Sequence, residues 1–151
     1  MAHTPEQIRT ILAAEGRKAN RALGQNFCTD GALLASCVDA AGLDGLPVLE
    51  IGPGLGALTA PLLQRASRVV AVEKDAALAA LLPSLLPSER LTVVTGDILR
   101  TDVGALMQGE DFALCGNLPY YITTPIAEQF LPMLPRVLLL MVQQEAAARF
   151  F

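Results

Sequence analysis

The sequence has no apolar run long enough to cross a membrane, and its start has no apolar signal core. A membrane helix needs about 20 consecutive apolar residues, whereas proline and arginine interrupt the richest apolar segments of this chain. The interruptions are at Pro83, Pro87, Pro132, Pro135 and Arg136. We therefore expect a protein of the cytoplasm that neither enters a membrane nor is secreted.

The chain is also poor in the side chains that bind transition metals. His3 is its single histidine, and its three cysteines, Cys28, Cys37 and Cys115, are far apart without Cys-x-x-Cys spacing. A structural zinc site needs four such ligands close together, so we predict no metal site. Three widely spaced cysteines are typical of buried, reduced thiols in a cytosolic protein.

Charged residues make up only 17% of the 151 residues, while apolar residues make up 52%. This balance predicts one globular domain with a sizeable core. The net charge of −4 is uneven, because residues 1–27 carry +2 and the other 124 residues carry −6. A basic N-terminal arm on an acidic body could bind phosphates, while the body favours a cationic cofactor. A solvated helix face explains the arm's charge equally well.

A glycine loop follows a short, mostly apolar run. Val48–Ile51 is followed by Gly52, Gly54 and Gly56, and a helical pattern begins immediately afterwards. Strand, glycine loop and helix together bring a cofactor against bare backbone at the carboxyl end of a parallel strand. With Glu50 two residues before the first glycine, the stretch resembles motif I of methyltransferases that use S-adenosylmethionine (SAM). A turn whose glycines serve only packing is the alternative.

Apolar strands alternate with helices along the rest of the chain. Strands are predicted at 48–51, 68–73, 91–95, 112–116 and 137–142, and helices at 5–15, 30–41, 57–65, 75–82, 102–107, from 124, and at 143–151. Such alternation, with continuous apolar runs in the strands, predicts an α/β fold with a doubly wound, parallel, Rossmann-like sheet. We expect its five strands to bury both faces of the sheet.

Polar residues lie where the predicted strands end, which is where ligands bind in such sheets. Glu73 closes the second strand, and its carboxylate could accept both ribose hydroxyls; the alternative is a helix cap, which Asp75 already provides. Asp97 could accept from an adenine amino group, with Ile98 packing on the ring. An ordinary Asx turn explains Asp97 equally well.

The segment Asn117-Leu118-Pro119-Tyr120 follows the fourth predicted strand. The Asn117 carbonyl and the backbone carbonyl of Leu118 or Pro119 could accept the two N–H groups of an adenine amine, exposing its lone pair. Pro119 would orient the carbonyl, and Tyr120 would stack on the extracted base. Positioning and oriented dipoles would then carry catalysis without a strong base. The alternative is a turn with a packed tyrosine.

Six segments in the same order resemble the motifs of the KsgA-type rRNA adenine dimethyltransferases. They lie at residues 23–27, 49–56, 72–73, 96–97, 116–126 and 141–145. The Asn-Leu-Pro-Tyr form of the fifth motif points to the ribosomal branch rather than to DNA or antibiotic-resistance methylases. The resemblance implies SAM-dependent N6-dimethylation of two adjacent adenosines in a hairpin near the 3′ end of small-subunit (16S) rRNA. The implied partner is the immature 30S subunit in ribosome biogenesis; no DNA partner is expected.

The resemblance also implies that Gln25, Asn26 and Cys28 contact SAM. Position 28 is usually leucine in the family, and a backbone contact would tolerate the difference. Gln144 lies where the family often has lysine. The family continues into two more strands and a helical RNA-binding domain that these 151 residues do not include. We therefore expect the chain to bind SAM but to methylate rRNA poorly.

The predicted organisation is an N-terminal helix and basic arm at 1–27, followed by a SAM-binding methyltransferase domain at 28–151. Three other functions stay open at this point. One is a nicotinamide-dependent oxidoreductase, which the G-x-G-x-G spacing disfavours. The second is a non-catalytic RNA-binding or assembly factor with the same fold. The third is a large-subunit rRNA adenine methylase of the antibiotic-resistance type.

Overall fold

A five-stranded parallel sheet with the strand order β3-β2-β1-β4-β5 organises the fold. The computed structural model describes residues 5–14, 31–118 and 122–141. The strands are β1 (Pro47–Ile51), β2 (Arg68–Glu73), β3 (Leu91–Thr95), β4 (Ala113–Asn117) and β5 (Val137–Met141). The chain builds outward from β1 to β3 and then returns to the other side of β1, which confirms the predicted doubly wound sheet.

Helices connect the strands. They are α1 (Pro5–Ala14), α2 (Gly31–Ala41), α3 (Thr59–Arg65), α4 (Ala76–Leu85), α5 (Val103–Leu106) and α6 (Thr123–Phe130), with short 3₁₀ helices at Ile98–Arg100 and Leu131–Met133. Asp75 and Asp102 cap α4 and α5 as predicted, because their carboxylates accept the free backbone N–H groups of the first turn. Gly42, with φ of +66°, follows the end of α2.

Two apolar clusters cover the two faces of the sheet. On one face, Leu49 and Leu114 pack with Phe130 and the apolar residues of α5 and α6. On the other face, Val48 and Ala113 pack with residues of α2 and α3. Neighbouring residues of β1 therefore point to opposite clusters, and each fully buried leucine or valine contributes about 1.5–3 kcal/mol.

The sheet is fully covered only at its centre. All of β1 and nearly all of β2 is buried. In contrast, every residue of β3 and β5 is partly buried or exposed, and Leu138 of β5 is 40% exposed. The expectation that five strands bury both faces is therefore wrong for the outer two. An outer strand has a neighbour on one side only, so fewer side chains from other elements reach it.

Several predicted boundaries differ from the structure. Helix α3 begins at Thr59 rather than 57, because the loop first closes a turn in which the Gly56 N–H donates to the Pro53 carbonyl over 2.9 Å. Helix α4 continues past Leu82 to Leu85 despite an internal Pro83, and Leu82 is fully buried. Packing of that leucine outweighs the hydrogen bond lost at the proline.

Strand β4 is displaced by one residue from its prediction, so that Asn117 belongs to the strand and Phe112 precedes it. The predicted bounds of β2 and β3 are confirmed. The predicted helix at 143–151 and the part of the N-terminal arm at residues 15–27 lie outside the described residues.

The two described cysteines differ in burial. Cys115 is completely buried in β4, as predicted, whereas Cys37 is partly exposed in α2, so that part of the prediction is wrong. Within the described ranges, no helix is long and apolar enough to span a membrane, and no three His, Cys, Asp or Glu residues form a cluster that could hold a metal ion.

Candidate functional site

The carboxyl ends of β1 and β4 lie side by side, at the point where the strand order reverses. Ile51 of β1 is in register with Gly116 of β4 on one side and with Val72 of β2 on the other. The glycine loop therefore emerges between Asn117, which ends β4, and Glu73, which ends β2. Ligands of doubly wound sheets bind in this crevice.

All three glycines of the loop have positive φ angles. Gly52 has φ of +66°, Gly54 +57° and Gly56 +87°, conformations that other residues rarely adopt. A Cβ on Gly52 would meet nothing within 4 Å, whereas a Cβ on Gly56 would lie 2.5 Å from Leu86 Cδ1. Gly52 thus leaves its backbone open to a ligand, and Gly56 allows the end of α4 to pack against the loop.

Glu73 is held by backbone donors on both of its carboxylate oxygens. Oε1 accepts from the Gly54 N–H and Oε2 accepts from the Asp75 N–H, each over 3.0 Å, and the residue is 8% exposed. Each oxygen still has a lone pair that could accept a ligand hydroxyl. Burial raises the pKa of Glu73, and the Asp75 charge adds to the rise, while backbone hydrogen bonds from Asp75, Gly54 and Lys74 oppose it. Glu73, the residue predicted to bind the ribose, is thus hydrogen-bonded directly to the backbone of the glycine loop.

Glu50 lies inside the protein, 1% exposed. Its Oε2 accepts a 2.6 Å hydrogen bond from the Thr59 hydroxyl, which links β1 to the first residue of α3. The pKa of Glu50 is raised to about 8, mainly by burial; the Thr59 hydrogen bond opposes the rise and the nearby Glu73 charge adds to it. The pKa of Cys115, its register partner on β4, rises to about 12 through burial and the Glu50 charge. The role of Thr59 was not predicted from the sequence. A hydroxyl residue at the start of the helix that follows a buried carboxyl group could have indicated it.

Asp97 and Ile98 follow β3 at the same edge of the sheet. Asp97 Oδ1 accepts from the Leu99 N–H over 3.0 Å, which is the geometry of an Asx turn. Ile98 is 3% exposed and belongs to the apolar cluster that contains Leu49. The Asx turn that was the alternative explanation for Asp97 is therefore present. The second carboxylate oxygen of Asp97 has no hydrogen-bond partner in the described part of the chain, so it could still accept from an adenine amino group.

Asn117 is partly exposed at the end of β4, and its carboxamide makes no hydrogen bond to any residue that the structure describes. Leu118 is 2% exposed, and its backbone N–H donates to the Met141 carbonyl over 2.9 Å. Position 117 is therefore fixed by its pairing with Met141 of β5. The other predicted site residues, Gln25, Asn26, Cys28, Pro119 and Tyr120, lie outside the described residues.

The described cations differ between the two edges of the sheet. At the amino edge, Arg65, Arg68 and Arg136 pair with carboxylates at 2.9–3.4 Å, and Arg90 donates to a backbone carbonyl. Lys74 and Arg100 follow β2 and β3 at the carboxyl edge, are exposed, and pair with no described carboxylate. The sequence analysis had not singled out these two cations, because pairing is not visible in the sequence.

Residues 16–151 match the family model described as ribosomal RNA adenine dimethylase. The chain belongs to the ribosomal RNA adenine dimethylase family. It is 41% identical over 150 residues to the ribosomal RNA small subunit methyltransferase A of Deinococcus radiodurans, covering 97% of this chain and 50% of that protein. It is 44% identical over 129 residues to the protein of the same name from Thiobacillus denitrificans, covering 83% and 50%.

Solved structures of similar proteins show the same fold. The 23S rRNA methyltransferase ErmE is 34% identical with a TM-score of 0.68, over 80% of this chain and 49% of that one. A dimethyladenosine transferase from Plasmodium falciparum is 28% identical with a TM-score of 0.63, over 78% and 43%. This member of the dimethylase family spans about half the length of the curated relatives it matches.

Proposed function

We propose that this chain is the cofactor-binding part of a SAM-dependent adenine N6-dimethyltransferase that modifies small-subunit rRNA. One arrangement carries the proposal: Glu73, fixed on the backbone of the glycine loop, lies beside β1, while Asn117 ends β4 on the other side. The residue proposed to bind the ribose and the residue proposed to bind the target amine thus lie on either side of one glycine loop. The names of the relatives that are 41% identical over 97% of the chain support this assignment.

The residues of the site fit SAM. The free lone pairs of Glu73 would accept the ribose hydroxyls, and the open space above Gly52 would admit the methionine part close to the backbone. Asp97 has a second carboxylate oxygen for the adenine amino group. Gln25, Asn26 and Cys28, which the family resemblance implicates, would complete the site. When bound, SAM supplies a methyl group on a positively charged sulfur.

The target adenosine would be held by residues at the end of β4. Asn117 Oδ1 and a backbone carbonyl of Leu118 or Pro119 would accept its two amino N–H groups, which leaves the nitrogen lone pair free to attack. Because the carboxamide of Asn117 has no described partner, its oxygen can be used in this way. Tyr120 would stack on the base. The alkylated amine is acidic enough to lose its proton to water, so no strong base is needed.

The proposed substrate is a pair of adjacent adenosines in a hairpin loop near the 3′ end of 16S rRNA, presented by the immature 30S subunit in the cytoplasm. RNA affinity comes largely from phosphate contacts. Lys74 and Arg100, which lack a described carboxylate partner at the carboxyl edge, would supply two such contacts next to the site. At the opposite edge, the paired arginines would contribute less.

A second candidate substrate is an adenosine of large-subunit rRNA. The 34% identity to ErmE, a 23S rRNA methyltransferase, over 80% of the chain favours it. The two substrates are separated by supplying purified small and large subunits from cells that lack these methyl groups, with radiolabelled SAM. A full-length small-subunit methyltransferase from Deinococcus radiodurans serves as the positive control.

The proposal predicts that calorimetry detects SAM binding to the chain, and that any label enters the small subunit only, at a rate well below that of the full-length control. Glu73→Ala should abolish both signals at concentrations that saturate the unaltered chain. Glu110→Ala is the matched control, because it removes an exposed carboxylate at the opposite edge of the sheet. It should change neither SAM binding nor labelling. Label in the large subunit would transfer the assignment to the second candidate, and absence of SAM binding would contradict the cofactor assignment.

A further inference from the structure

Helix α1 makes its described apolar contacts through a single stripe. Ile8 and Leu12, four residues apart and so on one face, are 8% and 3% exposed, and Ile11 is partly buried beside them. The other described side chains of α1, at positions 6, 7, 9, 10, 13 and 14, are exposed. The position of α1 on the body therefore depends on what this stripe contacts.

The stripe shares its apolar cluster with the glycine loop. Ile8 and Leu12 form one apolar cluster with Leu55, which is 4% exposed, and with Leu78 of α4, which is 1% exposed. Leu55 is the residue between Gly54 and Gly56, and both of these glycines have positive φ angles. It is therefore the one side chain by which the Gly54–Gly56 segment can be anchored in the core.

An anchor matters here because glycines do not hold a loop in one shape. Glycine loses more conformational freedom on folding than any other residue. The Gly54 N–H must nevertheless stay 3.0 Å from Glu73 Oε1 if that carboxylate is to be fixed for a ligand. If the loop is in its binding conformation for only a fraction of the time, its apparent affinity for the ligand falls by that fraction.

We propose that Ile8 and Leu12 of α1 are positioning residues for the cofactor, acting through Leu55 to hold the glycine loop against Glu73. This inference rests on the proposed SAM site and deepens it. Docking of α1 and binding of SAM are then linked, and each strengthens the other by the same factor. The segment that follows α1 in sequence is the basic arm, so a partner that changes the position of α1 would also change cofactor affinity.

The test compares Leu12→Ala with Met107→Ala. Met107 is 1% exposed in the cluster that contains Leu49 and lies next to the amino edge, remote from the loop. Both variants should melt at lower temperature than the unaltered chain. Only Leu12→Ala should weaken SAM binding, by about tenfold if the competent fraction of loops falls to about a tenth. Ile8→Ala, at a slightly more exposed position, gives the same comparison if Leu12→Ala does not fold.

A double variant shows whether the effect passes through Leu55. If it does, the double variant Leu12→Ala/Leu55→Ala should bind SAM with the same affinity, within about twofold, as Leu55→Ala alone. Full additivity of the two losses would overturn the proposed route. Equal SAM affinity in Leu12→Ala and Met107→Ala would show that α1 serves stability alone.

Hydrogen exchange of the Gly54 amide in the cofactor-free chain gives a readout that needs no SAM. We expect faster exchange in Leu12→Ala and unchanged exchange in Met107→Ala, at a temperature where both are folded. Unchanged Gly54 exchange in Leu12→Ala would overturn the inference even if SAM binds. Failure of the unaltered chain to bind SAM would instead contradict the proposed function, while the exchange result would still decide the role of α1.

Discussion

The Thr59 hydroxyl donates to Glu50 Oε2 over 2.6 Å, and both residues are almost completely inaccessible, at 0% and 1% exposure. This contact links the end of β1 to the start of α3 across the glycine loop. It also satisfies one oxygen of a carboxyl group whose charged form is poorly solvated. The pair therefore couples the protonation state of Glu50 to the geometry of the loop.

Glu50→Gln should make stability less dependent on pH. The pKa of Glu50 is about 8 in the folded protein against 4.5 as its ordinary value, so between these pH values the folded chain keeps a proton that the unfolded chain has released. Stability from this group is therefore complete below pH 4.5 and is lost as pH rises towards 8, by about 1.4 kcal/mol per pH unit. Urea unfolding of the cofactor-free chain between pH 5 and 8 measures the slope.

Thr59→Val provides the control for this prediction. The Thr59 hydrogen bond lowers the pKa of Glu50, so its removal should raise that pKa and extend the falling part of the stability profile to higher pH. Identical profiles for Glu50→Gln and the unaltered chain would show that Glu50 is charged in the folded protein at neutral pH.

Glu73→Ala should weaken SAM binding by about a hundredfold or more, because two charge-assisted hydrogen bonds of about 1.5–3 kcal/mol each would be lost. The chain should also become less stable, since the Gly54 and Asp75 amides lose their acceptor. Calorimetry with SAM and a thermal melt separate the two effects. Affinity within about threefold of the unaltered chain would restore the view that Glu73 only supports the adjacent turn.

Asn117→Ala should leave SAM affinity nearly unchanged while it lowers the rate of methyl transfer by about 100- to 1,000-fold, the loss typical of one donor or acceptor aligned with the transition state. Its side chain is proposed to contact the target amine rather than the cofactor. Single-turnover methylation of unmethylated small subunits, with the substitution made in a full-length context, measures the rate. A change of only a few-fold would contradict the proposed role of the Asn117 carbonyl.

Arg100→Glu should weaken binding of the substrate RNA hairpin and reduce the salt dependence of that binding by about one unit of slope, as expected for a lost phosphate contact. Arg136→Glu makes the same charge change at the opposite edge, where Arg136 pairs with Asp111 at 3.4 Å, and is the matched control. Fluorescence anisotropy at several salt concentrations measures both. Equal losses in the two variants would indicate a general effect of net charge.

Local patterns predicted much of the fold and the position of the site. The bounds of β2 and β3 are confirmed because a short apolar run ends at a charged or glycine residue at each end. Parallel strands put their carboxyl ends at one edge, so the sequence also placed Glu73, Asp97 and Asn117 together before any contact was known. The cap at Asp75 is equally local, because it depends only on the next three residues.

Contacts between elements that are distant in sequence depended on the tertiary structure. Three such relationships join residues 19, 43 and 25 positions apart. They are the hydrogen bond from Gly54 to Glu73, the apolar cluster shared by Leu12 and Leu55, and the pairing of Arg136 with Asp111. A side chain's periodicity says that it is buried, but not which surface buries it. The sequence by itself thus determined the strands, the glycine loop and the edge at which ligands bind. Only the tertiary structure decided which neighbours hold that loop, because those contacts form when the elements pack against one another.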